Sequence, residues 1–250
     1  MTATIQGQDY SHYNSDVNFP LAIQNGQLVF YCKSSEGSEA NGMRDETYEA
    51  KRLACAPTGA PFAPYHFLKM GAPATAQAAW FKKCAPDPTT LNPIGDIEQH
   101  PFEPPNINIA IAKKRAHVHD FLLRTEDEFR RKPIIYTGPY WWKDNIGAVS
   151  WATDYDFIVA GYLFYKGAIP NGFVPYWPGP RTIFDIPREN VIGWQWAGDI
   201  PNPKKYPWAS GGQDFNTFDA EAIYAMANVK PPLTLEQKVG RLWDAHPELR

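Results

Sequence analysis

Two carboxylates two residues apart close a short apolar run, Leu91-Asn92-Pro93-Ile94-Gly95-Asp96-Ile97-Glu98. On an extended strand, residues i and i+2 project to the same side. Asp96 and Glu98 then leave the strand together, about 6–7 Å apart at a rise of about 3.3 Å per residue. Like charges this close oppose each other's ionisation, so one of the two pKa values should rise. A protonated acid beside an ionised carboxylate is what glycosidic bond cleavage needs. Taken alone, Asp-x-Glu is a common tripeptide, and a solvated acidic strand end is its ordinary explanation. The rest of the chain has to supply the companions.

The elements around this pair can be read from periodicity. Gly7-Gln8-Asp9-Tyr10-Ser11-His12-Tyr13 reads as a short first strand breaking into a polar loop, with Asp9 near its end. Residues 28–33 form a nearly continuous apolar run, as in a strand buried on both faces of a parallel sheet. Lys33-Ser34-Ser35-Glu36-Gly37 follows as a polar loop. A helix is predicted over 45–56, with Tyr48, Leu53 and Ala54 inward. Residues 62–67 form a strand in which Pro64 is awkward for a central position. A helix over 74–84 carries Ala76, Ala79, Trp80 and Lys83 at helical spacing. After the acidic strand come a Pro-rich loop over 99–108 and a long helix from Ile109 to about Arg130. Its His117 and His119 stand i, i+2 and face different ways, which argues against a shared metal. Further strands are predicted over 132–137, 156–162 and 191–196, with a Gly/Pro-rich loop over 167–181 and a last extended piece over 213–216.

Strands alternate with helices in the first half and follow one another in the second. This order predicts an α/β fold, a parallel barrel-like sheet whose later helices are missing or reduced. Parallel barrels place their sites at the C-terminal ends of the strands. Asp9, Lys33, Tyr65, Glu98, Tyr136, Tyr162 and Trp196 all fall at predicted strand ends.

The bulk composition agrees with one large domain. The chain has 250 residues, 44% hydrophobic and 20% charged, with a net charge of −3 and no basic block. That leaves no footprint for nucleic acid. Aromatics reach 14%, with nine Trp, and there are 24 prolines. Flat apolar rings cover the C–H faces of pyranoses, although a Trp is also an ordinary core residue. Cys32, Cys55 and Cys84 are odd in number and widely spaced, which points to small buried hydrophobes in a reducing compartment. The first residues carry no signal-peptide pattern, and no apolar run is long enough to span a membrane. Residues 230–250 differ in character: Thr234 and Gln237 form a capping box, and Leu235, Val239 and Leu242 share a helical face. The predicted units are thus a domain over 1–229 and an amphipathic helical tail over 230–250, which either packs on the barrel or serves self-association.

Taken together, the motifs resemble the family-25 glycoside hydrolases, the Chalaropsis-type lysozymes or N-acetylmuramidases. The resemblance is carried by Gly7-Gln8-Asp9-Tyr10-Ser11-His12-Tyr13, Lys33-Ser34-Ser35-Glu36-Gly37, Tyr65-His66-Phe67 and Asp96-Ile97-Glu98. It continues through the strand over 134–137, then Ala160-Gly161-Tyr162, Trp194-Gln195 and Asp214-Phe215-Asn216. Each fragment is weak; eight in the same order, over roughly residues 5–220, are hard to obtain by chance. The long loop after Glu98, the stretch 162–190 and the segment from Trp196 to Asp214 depart from the family pattern.

The resemblance implies a modified parallel β/α barrel with about five β/α units and final strands lacking helices. It implies hydrolysis of the β-1,4 bond from N-acetylmuramic acid to N-acetylglucosamine in peptidoglycan, with retention. Glu98 is then the general acid and base. Asp96 either attacks the sugar or, like Asp214, orients a substrate acetamide that attacks in its place. Asp9 and Asp214 line the same pocket. Tyr65, Tyr136, Tyr162 and Gln195 contact the sugar, while Lys33 and Glu36 either do so or pair with each other. No metal or organic cofactor is implied, and the partner is bacterial peptidoglycan rather than nucleic acid or membrane. The implied setting is a phage endolysin held in the host cytoplasm until a holin releases it to the wall. The competing readings are a non-catalytic peptidoglycan-binding or virion structural protein on the same barrel, and a different barrel glycosidase.

Overall fold

The fold is described from a computed structural model, for residues 3–100, 109–177, 179–201 and 204–229. In chain order the elements are β1 (Thr4–Tyr10), α1 (Phe19–Gln24), β2 (Gln27–Glu36), β3 (Met43–Arg44), α2 (Tyr48–Cys55), β4 (Phe62–Phe67), α3 (Ala74–Cys84) and β5 (Ile94–Asp96). They continue with α4 (Ile111–Phe129), β6 (Ile134–Thr137), α5 (Pro139–Asn145), β7 (Phe157–Tyr165), β8 (Val191–Ile200), β9 (Gln213–Asp219) and α6 (Ala220–Ala227). The strand order β1-β9-β8-β7-β6-β5-β4-β2, closed by a β1–β2 pairing, makes an eight-stranded barrel with β3 flanking β2. A helix follows each of the strands β1, β2, β4, β5 and β6, giving the five expected β/α units.

Strand direction follows from the connections. β7 and β8 pair in parallel, and among the described residues the long segment between them makes the required crossover without an α-helix. The shorter link from β8 to β9 returns from the same end of the barrel. β9 therefore runs antiparallel to both β8 and β1. Its start, rather than its end, lies beside the C-terminal ends of the other strands.

Side-chain alternation gives two cores. Ile5, Val29, Ile94, Ile134, Ile158 and Phe218 fill the lower barrel interior, and Ile223 and Tyr224 of α6 join them. The Asp219 carboxylate accepts from the Glu221 and Ala222 N–H groups and so caps α6. The other core lies outside the sheet, where Phe30, Phe81, Phe121 and Trp142 pack between strands and helices. Beside β1 and β9 an amide network packs on the barrel. Gln8 donates to Gln213 at 3.0 Å and accepts from Tyr10 and Trp208, while Gln213 donates to the Tyr206 carbonyl.

Gly7 and Gly193 flank the Phe218 ring. A Cβ on Gly7 would lie 2.4 Å from the Val29 carbonyl oxygen and 2.8 Å from the Phe218 ring. Gly7→Ala is therefore expected to lower the unfolding free energy by about 1–3 kcal/mol, because backbone must shift to admit one methyl group. An unchanged midpoint in a denaturant titration would contradict this packing.

Several expectations need correction. β2 continues through Glu36, so the predicted polar loop over 33–37 is mostly strand, paired with β3 and β4. Leu53 is 56% exposed, and Lys51 and Cys55 are buried on α2 with Tyr48. On α3 the buried face is Ala74, Gln77, Ala78, Phe81 and Cys84, not the alanines at 76 and 79. Small alanines carry little preference, so Phe81 decides the face. Gln77 is drawn inside by its bonds to the Lys69 N–H and to His66. Cys32, Cys55 and Cys84 are free and buried, as expected. The predicted tail helix over 230–250 and most of the Pro-rich loop lie outside the described residues.

Candidate active site

The C-terminal ends of the parallel strands and the start of β9 surround a cavity of about 250 Å³. Its walls include Asp9, Asp96, Glu98 and Asp214, brought together from β1, β5 and β9. The Asp-x-Glu geometry has a simple origin. The Leu68 N–H donates to the Asp96 carbonyl at 3.0 Å, and the Ile97 N–H donates to the Tyr136 carbonyl at 2.8 Å. The Thr137 hydroxyl donates to the Ile97 carbonyl at 2.7 Å. The chain thus stays extended between its neighbours just past β5. Ile97 is buried in the outer core, and the carboxyls on either side of it face the cavity.

Asp9 and Asp214 meet for a different reason. They are direct partners in the antiparallel β1–β9 ladder, so their side chains stand together on the inner face. The two carboxyls share a hydrogen bond. Asp9 is also the centre of two polar relays. Tyr136 and Tyr162 donate to Gln195 Oε1 at 2.5 and 2.9 Å, and Gln195 Nε2 donates to Asp9 Oδ2 at 2.8 Å. Tyr31 donates to Asn216 Oδ1 and Asn216 Nδ2 donates to Asp9 Oδ2, both at 2.8 Å. Two tyrosine hydroxyls on one amide oxygen leave the NH₂ of Gln195 facing Asp9, which fixes its orientation.

The four carboxyls do not share one environment. Burial raises the pKa of Asp9, and the bonds from Asn216, Gln195 and Tyr31 oppose that rise. Asp214 is pushed well above the usual carboxylate range by burial and by the charge of Asp9, against the Asp199 N–H. In that pair the amide donors from Gln195 and Asn216 favour the ionised form of Asp9. Burial, followed by the charge of Glu98, drives Asp96 well above the usual range, and Lys33 pulls the other way. Among the described residues, Asp96 Oδ1 has no hydrogen-bond donor. Glu98 is pushed up to about 7 by burial and by the charge of Asp9. Near neutral pH the Asp96–Glu98 pair therefore keeps a proton. Asp96 lies deeper, at 8% exposure, while Glu98 is only partly buried and reaches the open side.

The other predicted residues divide. Tyr65, Tyr136, Tyr162, Gln195 and Lys33 line the cavity. Glu36 does not. It pairs with Lys33 at 2.5 Å, Lys69 at 3.0 Å and His100 at 3.3 Å. Burial opposes its charge, but the two ammonium groups hold it down to about 2. Trp196, predicted at a strand end, faces the outer core against Phe173 and Phe215, because its neighbour Gln195 is the inward residue. Sequence reasoning gave no site role to Tyr31 or to Asn216, which stand two residues from Lys33 and Asp214 on the same faces. The alternation that singles out Asp96 with Glu98 also finds these two.

Comparison with known proteins agrees with this geometry. Residues 8–202 match the family described as Glycosyl hydrolases family 25. The chain is 29% identical over 237 residues to Lysozyme M1 of Streptomyces globisporus, covering 91% of this chain and 72% of that protein. It is 30% identical over 215 residues to the N,O-diacetylmuramidase of Chalaropsis sp, covering 81% and 98%. A bacterial lysozyme from Streptomyces coelicolor shares the fold, with a TM-score of 0.70 over 91% of this chain and 99% of that one, at 24% identity. The conserved order of motifs therefore reflects common descent: this chain is a glycoside hydrolase and belongs to family 25.

Proposed function

We propose that the chain is an N-acetylmuramidase. It hydrolyses the β-1,4 bond from N-acetylmuramic acid to N-acetylglucosamine in peptidoglycan, with retention. The observation that carries this reading is a glutamic acid raised to about 7 in a cavity shared with three other carboxyls. The names lysozyme and N,O-diacetylmuramidase borne by the relatives support the choice of glycan.

Glu98 protonates the glycosidic oxygen as the C1–O bond breaks. The positive charge growing at C1 is met by the acetamide oxygen of the same sugar, which closes a ring on C1. The acetamide N–H donates to Asp96. That donor stabilises the aspartate anion and leaves the shared proton on Glu98, at the open side where the leaving group departs. Glu98, now ionised, takes a proton from water as the water adds to C1 and reopens the ring, so the original configuration returns. Asp9, held by Gln195 and Asn216, adds fixed negative charge across the pocket. A covalent sugar found on Asp96 after a denaturing quench would replace acetamide attack by direct attack.

Peptidoglycan stripped of other polymers tests the function. Wild type should clear its turbidity and release reducing ends, and Glu98→Gln should do neither at a comparable rate. A wild-type protein that binds this material without releasing ends would instead support the non-catalytic reading. Against that reading stands the presence of all four carboxyls in one cavity.

A further inference from the structure

We propose that the outer ends of β7 and β8 form a second sugar-binding platform. On it, the ring of Tyr165 stacks on a pyranose beyond the one being cleaved, and Asp199 and Lys166 bind the polar edge of that ring. The inference rests on the muramidase reading and adds a place for the glycan chain at the rim of the carboxyl pocket, beside the sugar being cleaved.

Both strands run past the barrel wall. The regular pairing reaches Ala160 with Gln195, breaks, and resumes at Phe164 with Ala197 and Tyr165 with Gly198. The extension has two sides: Phe164, Ala197 and Ile200 pack into the outer core, whereas Tyr162 and Tyr165 on the inner side are 45% and 56% exposed. Their rings lie nearly parallel, 5.4 Å apart at an interplanar angle of 15°, and both line the catalytic cavity. The aromatic surface is therefore continuous with the site. Gly198 allows this arrangement, since a Cβ there would lie 3.0 Å from the Tyr162 ring.

The polar edge is built with backbone strain. Asp199 and Lys166 have φ values of +52°, in the left-handed region that non-glycine residues seldom occupy. Such strain collects at functional sites. In this conformation the Asp199 N–H donates to Asp214 Oδ1 at 2.8 Å. The Asp199 carboxylate stands 3.5 Å from the Tyr165 hydroxyl and 3.6 Å from Lys166 Nζ. The Lys166 ammonium stands over the Tyr165 ring, 5.1 Å from its centroid, so a sugar that stacks there takes the place of this cation and leaves it at the rim beside Asp199. An aromatic face bordered by one strong acceptor and one strong donor then matches a sugar, which offers a C–H face and a rim of hydroxyl or acetamide groups. The Asp199 N–H also ties the platform to a carboxyl of the pocket, so the two share one groove.

The test uses the inactive Glu98→Gln chain, titrated calorimetrically with peptide-free glycan strands from purified peptidoglycan. Adding Tyr165→Ala should weaken binding about tenfold, while Tyr165→Trp, which keeps a flat ring, should stay within about twofold. Tyr165→Leu is a second truncation that keeps apolar bulk at the lip and should lose about as much as Tyr165→Ala. Unchanged affinity in both truncations, or an equal loss in Tyr165→Trp, overturns the platform. Reducing-end release by the wild type is measured on the same strands. Its absence removes the muramidase reading itself. Release together with unchanged affinity in the truncated variants removes the platform alone.

Discussion

Glu98→Gln is expected to slow reducing-end release from peptidoglycan by about 10²–10⁴-fold, the usual contribution of a general acid and base. The amide keeps the size of the side chain but can neither donate the required proton nor take one back from water. The loss should fall on kcat, with glycan affinity retained, because the interaction removed belongs to the transition state. The pH profile makes the assignment specific. Since Glu98 is raised to about 7, wild-type activity should fall as pH rises through that value, where the acid form is lost. The residual activity of Glu98→Gln should lack that limb. A variant that keeps the same limb would assign it to another group, with Asp96 the first candidate.

Thermal stability should move the other way. A carboxyl whose folded pKa is about 7 against 4.5 in the free side chain binds more protons folded than unfolded between those values. Its full contribution to stability is present below about pH 4.5 and is lost as pH rises through about 7. At pH 8 the ionised Glu98 is expected to destabilise the fold by at most about 3 kcal/mol. Glu98→Gln should therefore melt several degrees above wild type at pH 8 and alongside it at pH 4. Asp96→Asn should show the same sign, because burial and the charge of Glu98 raise that carboxyl as well. Melting curves across this range check both. A Glu98→Gln protein less stable than wild type at pH 8 would mean that the carboxylate is well solvated, and the electrostatic account of the site would fail.

These expectations also show which parts of the molecule could be read from residues alone. The carboxyls at 9, 96 and 98 were legible because strand alternation and strand-end placement are local rules, whereas Asp214, near the start of β9, entered only through the family resemblance. The pairing of Asp9 with Asp214 was not legible. It depends on β9 running antiparallel to β1, which follows from a link between β8 and β9 whose direction has no local signature. The same blindness hid the relays through Tyr31 and Asn216, since their partners lie 185 and 207 residues away in sequence. Glu36 was ambiguous for a related reason. Its location in a loop left it free to reach the sugar, whereas its position on β2 beside Lys69 and His100 satisfies it elsewhere. Helix faces failed on α3, where small alanines carry little preference, and on α2, where Leu53 is exposed. The plug formed by α6 was missed although its buried residues Ala220, Ile223, Tyr224 and Ala227 stand at helical spacing, because a run of eight residues, half of them alanine, gives that spacing little contrast.

The central claim, that Glu98 and its companion carboxyls cut the bond on the reducing side of N-acetylmuramic acid, is tested most directly by identifying the new chain ends. Purified peptidoglycan is digested with wild-type protein, reduced with borohydride and hydrolysed, and the sugar alcohols are separated. The account predicts muramitol as the product, absent from a parallel digest with Glu98→Gln. Glucosaminitol in its place, or no sugar alcohol above the undigested control, would contradict it.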